Sequence, residues 1–186
     1  DRLDPAALSR HRAAVADHQA LQRALTREGW VGFVADGSRL ARRAGNDDSP
    51  MRGGGVPFVS PPEAAAEVAL PSSGVIRGMA LPRGILLLCG GAFHGKSTLL
   101  RALAAAVYPH IPGDGRELVA VDPTAMGIRA EDGRAVTGVD LSPFLHDLPD
   151  GTDPVRFETQ NASGATSQAA AVIEALSSAN KLLARG

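Results

Sequence analysis

The sequence predicts an α/β fold organised around a glycine-rich loop between a buried strand and a helix. The apolar run at residues 85–89 has the length and composition of a buried strand. It leads into residues 90–98, which fit the pattern G-x-x-x-x-G-K-[ST], and the helix-prone run 98–107 follows directly. A strand, a glycine loop and a helix in this order are the context in which the pattern binds phosphate.

Each part of this loop has a chemical role toward an anion. Glycines let backbone N–H groups turn inward onto phosphate oxygens, and the helix start adds unpaired N–H groups and a positive dipole end. Lys96 can reach the β- and γ-phosphates of a nucleotide, and Ser97 can ligate Mg²⁺. Lysine is rare here, since only Lys96 and Lys181 are lysines among 19 basic residues. The competing interpretation is a glycine turn that happens to contain Lys-Ser.

Composition favours a globular protein of one domain, or of one domain and part of another. The chain has 186 residues, a formal net charge of −1 and one cysteine. No apolar run approaches the roughly 18 residues that cross a membrane, so we expect a cytoplasmic protein without a membrane partner. Cys89 lies on the predicted strand and is expected to be a small buried residue.

Before the loop, periodicity and turn residues predict four elements. An amphipathic helix spans residues 6–28, and Gly29 is its expected stop. A short strand at 30–35 is followed by a loop or domain junction at 41–56, rich in turn formers and charge. Residues 67–70 and 74–81 read as an antiparallel hairpin.

After the loop helix, prolines and glycines predict a loop at 108–116, followed by a strand at 118–122. Asp122 is either a Walker B aspartate that holds Mg²⁺ or the first residue of a turn. Residues 124–160 read as acidic and irregular, with a short helix beginning at Ser142. A strong helix at 169–176 follows, capped by Ser163 or Thr166, and its start is a second candidate anion site.

Five stretches together resemble the predicted ATPases of the ABC class, over residues 20 to 183. The run 128–134 and the His94 variant of the glycine loop are specific to that family. The matching stretches are residues 33–37, 91–100, 110–117, 128–134 and 163–171.

The resemblance implies a P-loop NTPase fold with the ABC-type mixed sheet, preceded by the tail of a smaller α+β N-terminal region. Residues 1–50 would be the end of that region, and residues 51–186 would be the ATPase domain, truncated before the Walker B strand. Residues 181–183 would be the first residues of that strand. It also argues against Asp122 as the Walker B aspartate, because in the family the Walker B strand comes just after the helix that carries the signature motif.

The implied activity is binding and, in the complete protein, hydrolysis of ATP with Mg²⁺. ATP would be sandwiched at a head-to-tail homodimer interface between the Walker A loop and a signature-like motif of the other subunit. Lys96 is the implied catalytic residue and Ser97 the metal ligand. The implied ATP-binding residues are Gly90, Gly91, Ala92, Phe93, His94, Gly95, Lys96, Ser97, Thr98, Ser163, Gly164 and Gln168.

Three further alternatives stay open. A non-hydrolysing nucleotide-binding module that associates with RNA or DNA would use Arg39, Arg42 and Arg43. A small-molecule kinase would use Arg129 and Arg134 as lid arginines, although the signature-like helix argues against it. Phe58 or Tyr108 could stack on adenine; the alternative is that each has only a structural role in the core or in a loop.

Overall fold

The computed structural model describes residues 4–51, 53, 55–146, 148 and 151–183, with side chains up to residue 178. The chain forms two compact units, one up to Ala125 and one from Met126 onward. The boundary predicted near residue 50, between a family N-terminal region and an ATPase domain, stays a prediction.

The first helix, α1, runs from Pro5 to Glu28, as predicted. The Asp4 carboxylate caps its start by accepting a hydrogen bond from the Ala6 N–H at 2.9 Å, and proline occupies the first helical position. Gly29 ends it in the left-handed conformation, at φ 71°. These local signals fix both ends of the helix.

A four-stranded antiparallel sheet forms the centre of the first unit. Its strands are β1 (Trp30–Ala35), β4 (Ala65–Leu70), β5 (Gly74–Pro82) and β6 (Val119–Val121), in the order β4-β5-β1-β6. The predicted strand at 30–35, the hairpin and the strand after the loop at 108–116 are confirmed. The segment 41–56, predicted as a loop, contains a small hairpin of β2 (Arg42–Ala44) and β3 (Asp47–Pro50).

Each face of this sheet packs against a helix, because successive side chains along a strand point to opposite faces. Phe33 and Ala35 of β1 pack with Leu21 and Leu25 of α1. Val34, between them, belongs to the other face, which packs against helix α2 (Lys96–Ala105). The first unit therefore has the layers helix, sheet and helix, which agrees with the predicted α/β class. Its described strands all pair antiparallel, whereas the resemblance implied a mixed sheet.

The strand predicted at residues 85–89 is wrong. These residues form no regular structure, and Ile85 and Leu87 are 103% and 82% exposed. Cys89, expected to be buried, is also exposed. A strand needs a hydrogen-bonded neighbour, and no strand in the described ranges pairs with this run.

The second unit is a hairpin packed against a long helix. Strands β7 (Arg134–Val139) and β8 (Phe157–Ala162) pair antiparallel, and helix α3 (Gly164–Leu183) follows. Val136, Leu141 and Ala170 are buried together at its centre. The prediction that 124–160 is irregular is therefore wrong for both strands, and the helix expected at Ser142 is only a turn.

Residues 181–183, expected to begin a Walker B strand, instead form the last residues of α3, and residues 184–186 lie outside the described chain. No helix in the part of the chain that the structure describes is long and apolar enough to cross a lipid bilayer.

A substitution at Gly78 of β5 tests how closely strands β5 and β1 approach each other. A Cβ atom at this position would collide with the Val34 carbonyl oxygen and would lie 2.6 Å from Phe33 Cζ and 2.7 Å from Ala35 Cα. We expect Gly78→Ala to lower the free energy of unfolding by at least about 2 kcal/mol, because backbone atoms of β1 must move. Urea denaturation measures this change.

The control is Gly45→Ala, since nothing lies within 4 Å of a Cβ built on Gly45. Equal stability of the two variants would contradict the close approach of β5 to β1.

Candidate functional site

The glycine loop turns sharply into helix α2. Gly90 and Gly95 have positive φ angles of 151° and 80°, and Phe93, whose side chain is fully exposed, has φ 62°. Gly95 is the N-cap residue of α2, and no side chain caps the helix start by a hydrogen bond. The N–H groups of the first turn are therefore left for an anion.

The Lys96 side chain folds back over this loop. Its Nζ atom donates hydrogen bonds to the carbonyl oxygens of Gly90 at 2.6 Å and Gly91 at 2.5 Å. His94 packs close to the loop as well, since a Cβ on Gly91 would lie 3.1 Å from its ring. An ammonium group beside an uncapped helix start suits a phosphate chain.

Ser97 also fits the metal role predicted for it. Its side chain is exposed, and its hydroxyl makes no hydrogen bond within the described ranges. A hydroxyl next to bound phosphates is a suitable Mg²⁺ ligand. Among the described residues, no group of three or more His, Cys, Asp or Glu side chains is placed to hold a metal.

In the second unit, Ser163 caps helix α3; it is one of the two caps that the sequence predicted, the other being Thr166. The Ser163 Oγ accepts a hydrogen bond from the Thr166 N–H at 3.3 Å. The Gly164 N–H donates to the Asp132 carboxylate at 2.6 Å, so the anion at this helix start is a side chain of the protein itself. Gln168 is exposed.

The run 128–134, found in the sequence only as a family feature, holds this helix start in place. Ser167 is fully buried, and its Oγ accepts a hydrogen bond from the Glu131 N–H at 2.8 Å. Arg134 pairs with Glu174 at 2.5 Å, which engages one of the two arginines that a kinase lid would need.

An ion-pair network in the first unit was not predicted from the sequence; Arg116, Asp114 and Arg42 are largely buried in it, and Asp48 is exposed. Arg116, 4% exposed, donates to Asp48 Oδ2 and Asp114 Oδ1, both at 2.7 Å, and Arg42 donates to Asp114 Oδ2 at 3.1 Å. Arg116 and Asp48 are 68 positions apart in sequence, so no local sequence pattern reveals this ion pair. The only sequence signal was the family stretch 110–117.

The network shifts the pKa values of its members. Burial alone would raise the pKa of Asp114, but hydrogen bonding and charge from Arg116, with the charge of Arg42, hold it below its usual range. Burial lowers the pKa of the neighbouring His110, and the charge of Arg116 lowers it further, so both effects favour the neutral imidazole.

A cavity of about 450 Å³ lies beside the network, and we call it the hairpin cavity. Its walls come from the β2–β3 hairpin, helix α2 and the network. The lining residues are Leu40, Arg42, Ala44, Gly45, Asn46, Asp48, Thr98, Arg101, Ala102 and Arg116.

Other candidates from the sequence have ordinary structural roles. Asp122 begins a turn, in which its Oδ1 accepts hydrogen bonds from the Thr124 N–H at 2.9 Å and hydroxyl at 2.6 Å. Phe58 packs against the core on the α2 side of the sheet, and Tyr108 is 75% exposed.

The profile of the ABC_ATPase family, described as a P-loop domain, matches residues 4–184. The chain belongs to this family. It is also 27% identical over 144 residues to an uncharacterized protein of Methanocaldococcus jannaschii, an alignment that covers 74% of this chain and 32% of that protein. The chain thus spans about a third of the length of the curated relative that it matches.

Membership in the ABC_ATPase family confirms the resemblance drawn from the sequence and supports nucleotide binding, which in P-loop domains is usually accompanied by Mg²⁺. The contacts predicted for individual residues of 90–98 and 163–168 stay predictions.

Of the three arginines behind the RNA hypothesis, two are engaged in ion pairs. Arg42 belongs to the ion-pair network, and Arg43 pairs with Asp47 at 3.1 Å. RNA or DNA binding and a cytoplasmic location both stay predictions.

The network predicts an acid-dependent loss of stability. Because the folded-state pKa of Asp114 lies below its ordinary value of 3.8, its contribution is complete above pH 3.8 and is lost as pH falls through the lower folded-state value. We expect Asp114→Asn to cost about 3 kcal/mol at pH 7, since it leaves a buried arginine short of its partner. Urea denaturation at pH 7 and at an acidic pH below the folded-state pKa of Asp114 measures both effects.

The destabilisation should shrink at the acidic pH, where wild-type Asp114 is itself protonated. Glu63→Gln, at an exposed carboxylate of the same unit, is the control and should change little. A cost for Asp114→Asn that is the same at both pH values would contradict the interpretation.

Proposed function

We propose that this protein binds MgATP through residues 90–98 and that the whole protein hydrolyses it. The observation that carries the proposal is the Lys96 ammonium group, which lies over the loop carbonyls beside the uncapped start of α2. On ATP binding, Lys96 would exchange these carbonyls for phosphate oxygens, which are stronger partners for a cation.

Different groups within residues 90–98 neutralise different parts of the negative charge of the phosphates. The N–H groups at the start of α2 and the Lys96 ammonium group bind phosphate oxygens, and the Ser97 hydroxyl holds the Mg²⁺ that accompanies them. Bound Mg²⁺ supplies further neutralisation of charge in the reaction. In this interpretation the loop is the Walker A motif, and Lys96 acts by electrostatic stabilisation.

The proposal extends to a head-to-tail homodimer, in which Ser163, Gly164 and Gln168 of one subunit reach the γ-phosphate on the other. The support is the N-terminus of α3, where the Gly164 N–H already binds a carboxylate oxygen, that of Asp132. A helix start that holds a carboxylate has the N–H group and dipole that a phosphate needs. Asp132 would then leave this N–H group when the second subunit brings ATP.

The apolar run at 85–89 fits the same proposal. Residues of this composition normally lie in a buried strand, yet Ile85 and Leu87 are almost fully exposed. In the whole protein, we propose that this run becomes the central strand before the loop and pairs with a Walker B strand that ends in an acidic pair. That pair would supply the Mg²⁺-binding aspartate and the glutamate that orients water.

ATP turnover of the full-length protein tests the central assignment. We expect Lys96→Ala to lower the turnover rate by about 100-fold or more, because one preorganised cationic group contributes that much to stabilising transition-state charge. A coupled phosphate-release assay measures the rate, and unchanged melting temperature shows that the variant is folded.

Arg23→Ala is the matched control, since it removes one cation from an exposed position on α1. Equal turnover by wild-type protein and Lys96→Ala would rule out the assignment of the loop.

The contact between Asp132 and Gly164 predicts how the dimer responds to substitution. Replacing Asp132 with alanine frees the Gly164 N–H, so we expect ATP-dependent dimerisation of the full-length protein to become several-fold tighter. Analytical ultracentrifugation with a non-hydrolysable ATP analogue measures the dissociation constant.

Glu158→Ala, which removes an exposed carboxylate from β8, should leave dimerisation unchanged. An Asp132→Ala protein that dimerises no better than wild type would argue against a γ-phosphate contact at Gly164.

A further inference from the structure

Apart from Thr98, which also belongs to residues 90–98, the residues of the hairpin cavity have no role in the contacts assigned so far. We propose that it takes the nucleoside part, the base and ribose, of the nucleotide whose phosphates lie on residues 90–98. This inference rests on the proposed function, because it assigns the other half of the same ligand.

Helix α2 connects the cavity to the phosphate site. Thr98 and Arg101 line the cavity, and Thr98 directly follows Lys96 and Ser97 in the sequence. Ser97 and Arg101 are four residues apart, so they lie on one face of the helix. At 1.5 Å of rise per residue, Arg101 is about 7.5 Å along the helix axis from Lys96. A ligand whose phosphates lie at the helix start is therefore within reach of the cavity.

The size and the chemistry of the walls suit a nucleoside. A volume of about 450 Å³ is in the range of small-molecule sites. Three polar side chains of the lining, those of Asn46, Thr98 and Arg101, make no hydrogen bond or ion pair among the residues that the structure describes. They are free to bind a ligand, whereas Arg42 and Arg116 are held by aspartates.

The charge of the walls disfavours a polyanion as the ligand. Arg42 and Arg116 are compensated by Asp48 and Asp114, and Asp48 itself lines the cavity. Of the charged lining residues, Arg101 has no ion-pair partner within the described ranges. A neutral heterocycle with a few hydrogen-bonding groups fits such walls better than a phosphate backbone does.

Two residues have the chemistry to recognise the base. The amide of Asn46 offers a donor and an acceptor together, which is how asparagine pairs with the edge of adenine. The planar guanidinium of Arg101 can stack on the face of the ring. Among the residues that the structure describes, no aromatic side chain lines the cavity, so Arg101 takes the stacking role that the sequence suggested for Phe58 or Tyr108.

The experiment compares two ligands that share their phosphates, ATP and inorganic triphosphate, by calorimetric titration of the full-length protein with Mg²⁺. We expect Asn46→Ala and Arg101→Ala each to weaken ATP binding about tenfold, the loss of one good base contact. Triphosphate affinity should stay within about twofold of wild type, because its whole length binds at residues 90–98. Lys96→Ala should weaken both ligands.

Arg101→Lys separates stacking from charge, since it keeps the charge and removes the planar group. It should weaken ATP binding as much as Arg101→Ala does. The control is Arg23→Ala, and melting temperatures confirm that each variant is folded.

ATP affinity that is unchanged in both Asn46→Ala and Arg101→Ala would overturn the nucleoside assignment and leave the phosphate site standing. Equal weakening of ATP and triphosphate would overturn it too, because the cavity would then bind anions. A wild-type protein that binds neither ligand would overturn the proposed function itself, and this inference with it.

Discussion

The double-sided burial of strand β1 is the constraint on which the first unit depends. Phe33 and Val34 are both fully buried, one on each face of the sheet. The strand pairs with β5 on one side and β6 on the other, so its backbone groups are also satisfied on both sides. Because residues 32–35 are buried and β1 is paired along both edges, this strand fixes the register of the sheet and the surfaces on which both helices pack.

The packing of helix α2 on this sheet determines the geometry of the candidate site. Ala102 and Ala106 at the end of α2 are buried against Val119 and Val121 of β6, which anchors the helix through its later turns. The first turn of α2 therefore lies directly after the glycine loop, and its N–H groups are not capped by a side chain. The Arg116 network fixes the β2–β3 hairpin opposite the same helix, so one helix borders both the loop and the hairpin cavity.

Local chemistry predicted much of this fold. The stop of α1 at Gly29, the β4–β5 hairpin and the helix after the glycine loop all depend on residues close in sequence, and all were predicted. The run at 85–89 was mispredicted because its composition indicates burial, whereas pairing depends on a neighbouring strand. The Arg42–Asp114 pair was missed because its residues are 72 positions apart, and no periodicity reports a contact of that range.

Hydrogen–deuterium exchange of the full-length protein, with and without MgATP, shows directly whether residues 90–98 bind the nucleotide. We expect MgATP to slow exchange of the backbone amides at residues 90–98, because these N–H groups bind phosphate oxygens. The Lys96→Ala protein should show little of this protection at the same nucleotide concentration. Exchange at 90–98 that is unaffected by saturating MgATP in the wild-type protein would show that these residues do not bind the phosphates.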